Sequence, residues 1–183
     1  MRMMSLTRMG LCLLVMVLGL VSVAANGQQK FSYHHSAPPD TSTYVQDHSI
    51  EVDDVPGHKV RIVEIRRIYT KDHPTIMGAK VVETWFRGMT DYGARGGPGR
   101  GYETWVLEDG SKVYLESVFL STIEVTASGS RRGTSYSTDR LVGGTGPYAT
   151  IRGSVSSITE FDTDPTTGYN RPSSRGEYWL AAP

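Results

Sequence analysis

The chain has 183 residues, 38% hydrophobic and 21% charged, with nineteen basic and nineteen acidic side chains. That balance suits a single globular domain and lacks the basic excess or stripe of a nucleic-acid binder, so no nucleic-acid partner is expected. Twenty glycines and nine prolines require many turns, as a fold of short strands does.

The first 25 residues read as a signal peptide. Arg2 and Arg8 make a positive start, residues 11–23 are apolar, and Val23-Ala24-Ala25 places small or compact side chains before a cut. The apolar run is shorter than the roughly 18 residues of a membrane span. The expected product is secreted or periplasmic, with no stable membrane anchor after cleavage near Ala25. Cys12, the sole cysteine, lies in this leader. The mature chain then has no disulfide to staple it, and its stability must come from core and sheet.

Residues 26–45 are polar, include Pro38-Pro39 and keep no sustained period, which predicts a flexible N-terminal arm. Residues 46–183 form the β-barrel domain, to which 44–52 could add an edge strand. Residues 59–69 alternate and are rich in Val, Ile and Tyr, a strand. Lys71-Asp72-His73-Pro74 interrupts it, and 79–87 is the next strand. Residues 91–101 hold five glycines and a proline, which reads as a loop. Strand 102–107 follows, then Asp109-Gly110 as a hairpin turn. Residues 112–120 return antiparallel, and 121–127 continue them or begin another strand. After a polar turn come 134–141, a glycine turn, a strand over 148–161, a loop over 162–174 and a last short strand at 175–180. About eight strands and no helical period predict an all-β fold, a closed antiparallel eight-stranded barrel. Closure removes exposed edges and leaves room for one small ligand.

The most distinctive stretch is Leu141-Val142-Gly143-Gly144-Thr145-Gly146-Pro147-Tyr148-Ala149-Thr150-Ile151-Arg152-Gly153. Its glycines permit a tight corner between strands. A phosphate cradle would need a helix start after them, and the residues that follow are β-like. The stretch resembles the Gly-Gly-Thr-Gly-x-aromatic-x-x-x-Arg-Gly signature of the allene oxide cyclase-like barrel superfamily, which includes plant dirigent proteins. The resemblance covers residues 138–180 and is only topological upstream. The chain departs from plant members in its cysteine-free mature part, its glycine-rich 93–101 stretch and Tyr148 where Phe is usual. The resemblance implies a barrel of lipocalin-like shape that steers a reactive apolar or phenolic intermediate into one ring or one stereoisomer, as a cyclase-type isomerase or dirigent-type protein. It also implies no cofactor and assembly as a homotrimer.

Strand parity picks out candidate chemistry. Glu83-Thr84-Trp85 and Glu103-Thr104-Trp105 repeat one triplet on neighbouring strands, with Glu and Trp on one face of each. Tyr114 and Glu116 share a face on the next strand. If that face lines the barrel, Trp85, Trp105 and Tyr114 form an aromatic wall. Glu83, Glu103 or Glu116 beside it would be a carboxyl of raised pKa, able to act as acid or base. The alternative is a solvated outer face. Arg152 shares parity with Tyr148; it either anchors an anionic or phenolic group or pairs with Asp139 at the barrel mouth. The candidate catalytic residues are therefore Glu83, Glu103, Glu116 and Arg152, and the candidate ligand contacts Trp85, Trp105, Tyr114 and Tyr148. His34, His35, His48, His58 and His73 show no i, i+2 or i, i+4 spacing on a regular element, so no metal is expected. Three functions stay open. An inward Glu or Arg in a deep cavity favours the cyclase or dirigent type, a wholly apolar cavity a carrier, and a filled interior a structural or interaction module.

Overall fold

The computed structural model describes residues 28–37, 42–127, 129–164 and 169–182. The leader lies outside them. Among the described residues the chain forms ten strands: β1 Phe31–Ser36, β2 Ser42–Glu51, β3 Lys59–Ile68, β4 Thr75–Ile76, β5 Ala79–Tyr92, β6 Gly96–Leu107, β7 Lys112–Val125, β8 Arg131–Gly144, β9 Ile151–Asp162 and β10 Asn170–Leu180. One 3₁₀ turn, Gly146–Tyr148, sits between β8 and β9. All pairings are antiparallel, in the order β1-β10-β9-β8-β7-β6-β5-β3-β2, with β4 on β5.

The all-β expectation holds, but the strand count and the closure differ. No ladder joins β1 to β2, so the sheet is not closed by backbone hydrogen bonds. The cause is the N-terminal stretch, which contributes a strand to each end of the ladder. Phe31–Ser36, read from sequence as part of an arm, pairs with Tyr178–Ser173 of β10. Phe31, Tyr33 and His35 alternate along it, and Phe31 stacks on Tyr178 at 5.3 Å. Pro38 and Pro39, with no N–H to donate, separate this strand from β2 in sequence.

The sheet nevertheless curls until its inner face meets itself. Tyr33 of β1 stacks on Trp105 of β6 at 5.2 Å. Arg67 of β3 donates to the carbonyl oxygen and Oδ1 of Asn170 on β10, at 3.0 and 2.5 Å. One end of the interior is packed solid by Ile76, Val81, Leu107, Val113, Leu141 and Ile151, all fully or almost fully buried. Each such side chain contributes roughly 1.5–3 kcal/mol relative to exposure. Farther along the same face the inward residues become mostly polar: Ser117 opposite Asp139, then Ser137 opposite Phe119, then Ser121 opposite Ser135. This change from apolar to polar positions the chamber.

The glycine-rich 91–101 stretch is strand where a loop is expected. β5 runs to Tyr92, β6 starts at Gly96, and Gly93 bridges Gly96 across the turn. These glycines make room. A Cβ on Gly99 would lie 2.2 Å from the Phe119 ring, and one on Gly101 2.4 Å from the Arg87 carbonyl oxygen and 2.7 Å from the Phe86 ring. Composition signals a turn at such a run, yet here the missing side chains admit two inward phenylalanines.

The Gly143–Gly146 corner is held against the hairpin that joins β6 to β7. A Cβ on Gly144 would meet the Lys112 carbonyl oxygen at 2.4 Å, and Gly146 has φ +54°, in the left-handed region. The Thr145 amide donates to that carbonyl and the Lys112 amide donates to Thr145 Oγ1, both at 2.8 Å. Thr145→Val keeps the shape and removes the second bond. It should cost about 1 kcal/mol, a fall of roughly 2–4 °C in thermal melting.

Candidate functional site

Beyond the packed end, the curled sheet surrounds a partly open chamber of two adjoining lobes, about 150 and 140 Å³. They share walls at Ile65, Phe86, Glu103, Ser137, Thr159 and Asn170. The first lobe adds Tyr33, His35, Ser42, Arg67, Trp105 and Asp139; the second adds Tyr44, Arg61, Thr90, Tyr92, Ser117 and Phe119.

Two carboxyl groups face this space. Glu103 Oε2 accepts a hydrogen bond from Trp105 Nε1 at 2.8 Å. Asp139 accepts from Ser117 Oγ at 2.6 Å, Ser137 Oγ at 3.0 Å and Ser157 Oγ at 3.3 Å. Burial pushes Glu103 up to about 8, the Asp139 charge adds to the rise, and the Trp105 N–H and Arg67 oppose it. Asp139 is also raised by burial, against the three serine hydroxyls. Two carboxylates that share one desolvated space disfavour double ionisation. Glu103 thus keeps its proton near neutral pH while Asp139, the better hydrogen-bonded, is the natural carrier of negative charge.

The remaining polar groups are tuned by the same burial. Arg67 is 6% exposed, and desolvation holds its guanidinium below its ordinary value. His35 is lowered to about 4, by burial first and by Arg67 second. Tyr33 and Tyr69 are both raised by burial. Among the described residues no cluster of three or more His, Cys, Asp or Glu is placed to hold a metal, and no helix is long and apolar enough to cross a membrane.

Of the eight residues picked from sequence, the structure brings Glu103 and Trp105 to the chamber. Glu83 and Trp85 point outward. Trp85 lies opposite Thr104, so the odd positions of β5 share a face with the even positions of β6. The two triplets therefore present opposite faces, although each strand alternates as expected. Outside, Arg66 pairs with Glu83, while Arg66 and Arg87 lie over the Trp85 ring at 5.2 and 4.8 Å. Tyr114 and Glu116 oppose Thr104 and Tyr102 and also face out, Glu116 pairing with Arg140. Arg152 is exposed; its Nη1 donates to the carbonyl of Ile151 at 2.7 Å and makes no pair with the inward Asp139. Tyr148 is buried in the packed core at the corner, away from the chamber walls.

Sequence reading missed Asp139, Arg67 and His35. A signal for Asp139 was present: Ser135, Ser137 and Asp139 share parity with Leu141, which is fully buried. An inward row of small polar residues ending on a carboxylate marks the face that leaves space. Arg67 and His35 carried no such mark, because a charged residue in a strand and a histidine in a polar tract usually face water.

No protein-family model matches the chain, and no curated protein does. Among solved structures, that of a pterocarpan synthase dirigent protein is similar at 14% identity and a TM-score of 0.39, over 86% of this chain and 98% of that one.

Proposed function

We propose that this protein is a secreted, cofactor-free chamber that binds a small apolar or phenolic intermediate and guides its cyclisation or stereoselective coupling. The observation that carries the reading is Glu103, a carboxyl held protonated inside an aromatic-walled space beside a second carboxyl. The motif at residues 141–153 supports the same reading. Each lobe has the volume at which a cavity admits a single benzene-sized ring, about 150 Å³. Trp105, Tyr33 and Phe86 supply faces for such rings. Binding restricts which face of the intermediate reacts. The Glu103 proton serves an oxygen on which negative charge develops, and Asp139 accepts a proton released in ring closure. A carrier would gain nothing from buried ionisable groups that cost stability to enclose. Assembly as a homotrimer belongs to the same proposal.

The test is oxidative coupling of a panel of 4-alkenylphenols by a one-electron oxidant, followed by chiral chromatography. With the protein present, at least one phenol should give an enantiomeric excess. Glu103→Gln should bind the phenol within about threefold of wild type, read by tryptophan fluorescence, and lose about 10²-fold in the rate of ring closure. Racemic products from every phenol would sink the reading.

A further inference from the structure

The chamber holds polar atoms without a hydrogen-bond partner among the described residues, and two of them point to what the guest carries. His35 Nε2 on β1 and Ser42 Oγ on β2 are buried without a hydrogen-bond partner among the described residues. Both residues line the first lobe, although their strands stand at opposite ends of the ladder. Ser42 is 8% exposed. A buried polar atom without a partner costs about 1–3 kcal/mol. Two of them in one lobe suit a site completed by something that enters it.

We propose that His35, with Ser42, is a ligand-binding residue that recognises an uncharged hydroxyl group of the guest in the first lobe. This deepens the chamber reading and rests on it.

The chemistry selects the group. His35 is held in place by the Tyr69 ring, which it meets edge-on at 5.5 Å and 76°. Burial and the Arg67 charge keep the imidazole neutral. A neutral imidazole presents Nε2 as a donor in one tautomer and an acceptor in the other. A hydroxyl both gives and accepts, so it satisfies either tautomer and a serine hydroxyl together. In the same lobe a carboxylate on the guest would meet the negative charge of Asp139, and an ammonium would meet Arg67. A phenol or alcohol oxygen avoids both conflicts. A methyl ether at that position can only accept, and its methyl group has to displace any water that serves the two atoms.

The experiment compares 4-ethylphenol with its methyl ether, 4-ethylanisole, on the full mature chain by tryptophan fluorescence and calorimetry. Wild type should prefer the phenol by at least about tenfold, the size of one good hydrogen bond to a buried partner. His35→Phe should reduce that preference to less than about threefold, mainly by weakening phenol binding. His35→Gln, which keeps a donor and an acceptor, should retain most of it. Ser42→Ala should lower it in the same direction by a smaller factor and guards against a misfolded His35→Phe. Equal affinity of wild type for the two probes overturns the assignment and leaves the chamber reading standing. So does a tenfold preference that survives His35→Phe. Failure of both probes to bind removes the assignment and the chamber reading together.

Discussion

Glu103→Gln should raise the melting temperature at pH 8 by roughly 5–10 °C and leave it almost unchanged at pH 4. The reason is linkage. Folding lifts the Glu103 carboxyl from its ordinary 4.5 to about 8. Between those values the folded protein binds a proton that the unfolded chain does not. Stability is therefore full below about pH 4.5, falls as pH rises, and levels off above the folded value. The loss at pH 8 is on the order of 3–5 kcal/mol, and because Asp139 shares the cause the lower figure is the better guide. Glutamine removes the titration and keeps an oxygen for the Trp105 N–H, so it escapes the loss. Melting curves of both proteins from pH 4 to pH 9 give the result directly. Parallel curves across that range would mean that Glu103 titrates as an exposed carboxyl, and the proposed acid would lose its basis.

Arg67→Met should lower stability by about 2–3 kcal/mol at pH 7, a fall of roughly 4–12 °C, and should loosen β1, β2 and β10 more than β6 to β8. Methionine follows the apolar stem of arginine and fills similar space. What it deletes is the head group that reaches from β3 to the carbonyl oxygen and side chain of Asn170 on β10. That contact ties together two parts of the sheet that no ladder joins. Its loss strands polar atoms of Asn170 in the wall, which outweighs the relief of burying one fewer charge. The substitution also removes the positive neighbour that favours ionised Glu103, so the pH-dependent loss described above should continue to higher pH before it levels off. Hydrogen exchange read strand by strand checks the first effect. Uniform loosening across all strands would mean that Arg67 stabilises the domain generally and does not hold its seam.

Strand-forming segments were legible in the sequence because alternation is local: burial along β9 repeats every two residues from Ile151 to Val155, and that pattern needs no partner strand to be read. The corner at Gly143–Gly146 was legible for the same reason, since backbone freedom belongs to the residues themselves. The 91–101 stretch misled because glycine has two uses, turning a chain and yielding space to a neighbour, and only the positions of Phe86 and Phe119 tell them apart. Phe31–Ser36 misled because an aromatic alternation of three residues is too short to stand out from a polar tract.

Composition and periodicity by themselves determined an all-antiparallel β domain with a tight glycine corner, and they named Glu103 and Trp105 among the residues worth watching. Tertiary structure alone decided which face of each strand turns inward. A register shift of one residue exchanges the two faces, and the register is set by hairpins and bulges, not by the strand's own pattern. That is why two identical Glu-Thr-Trp triplets part company, one to solvent and one to the chamber. The curl of the sheet, which brings Arg67, His35 and Asp139 around the same space, is a property of many strands twisting together, and no single segment of the chain records it.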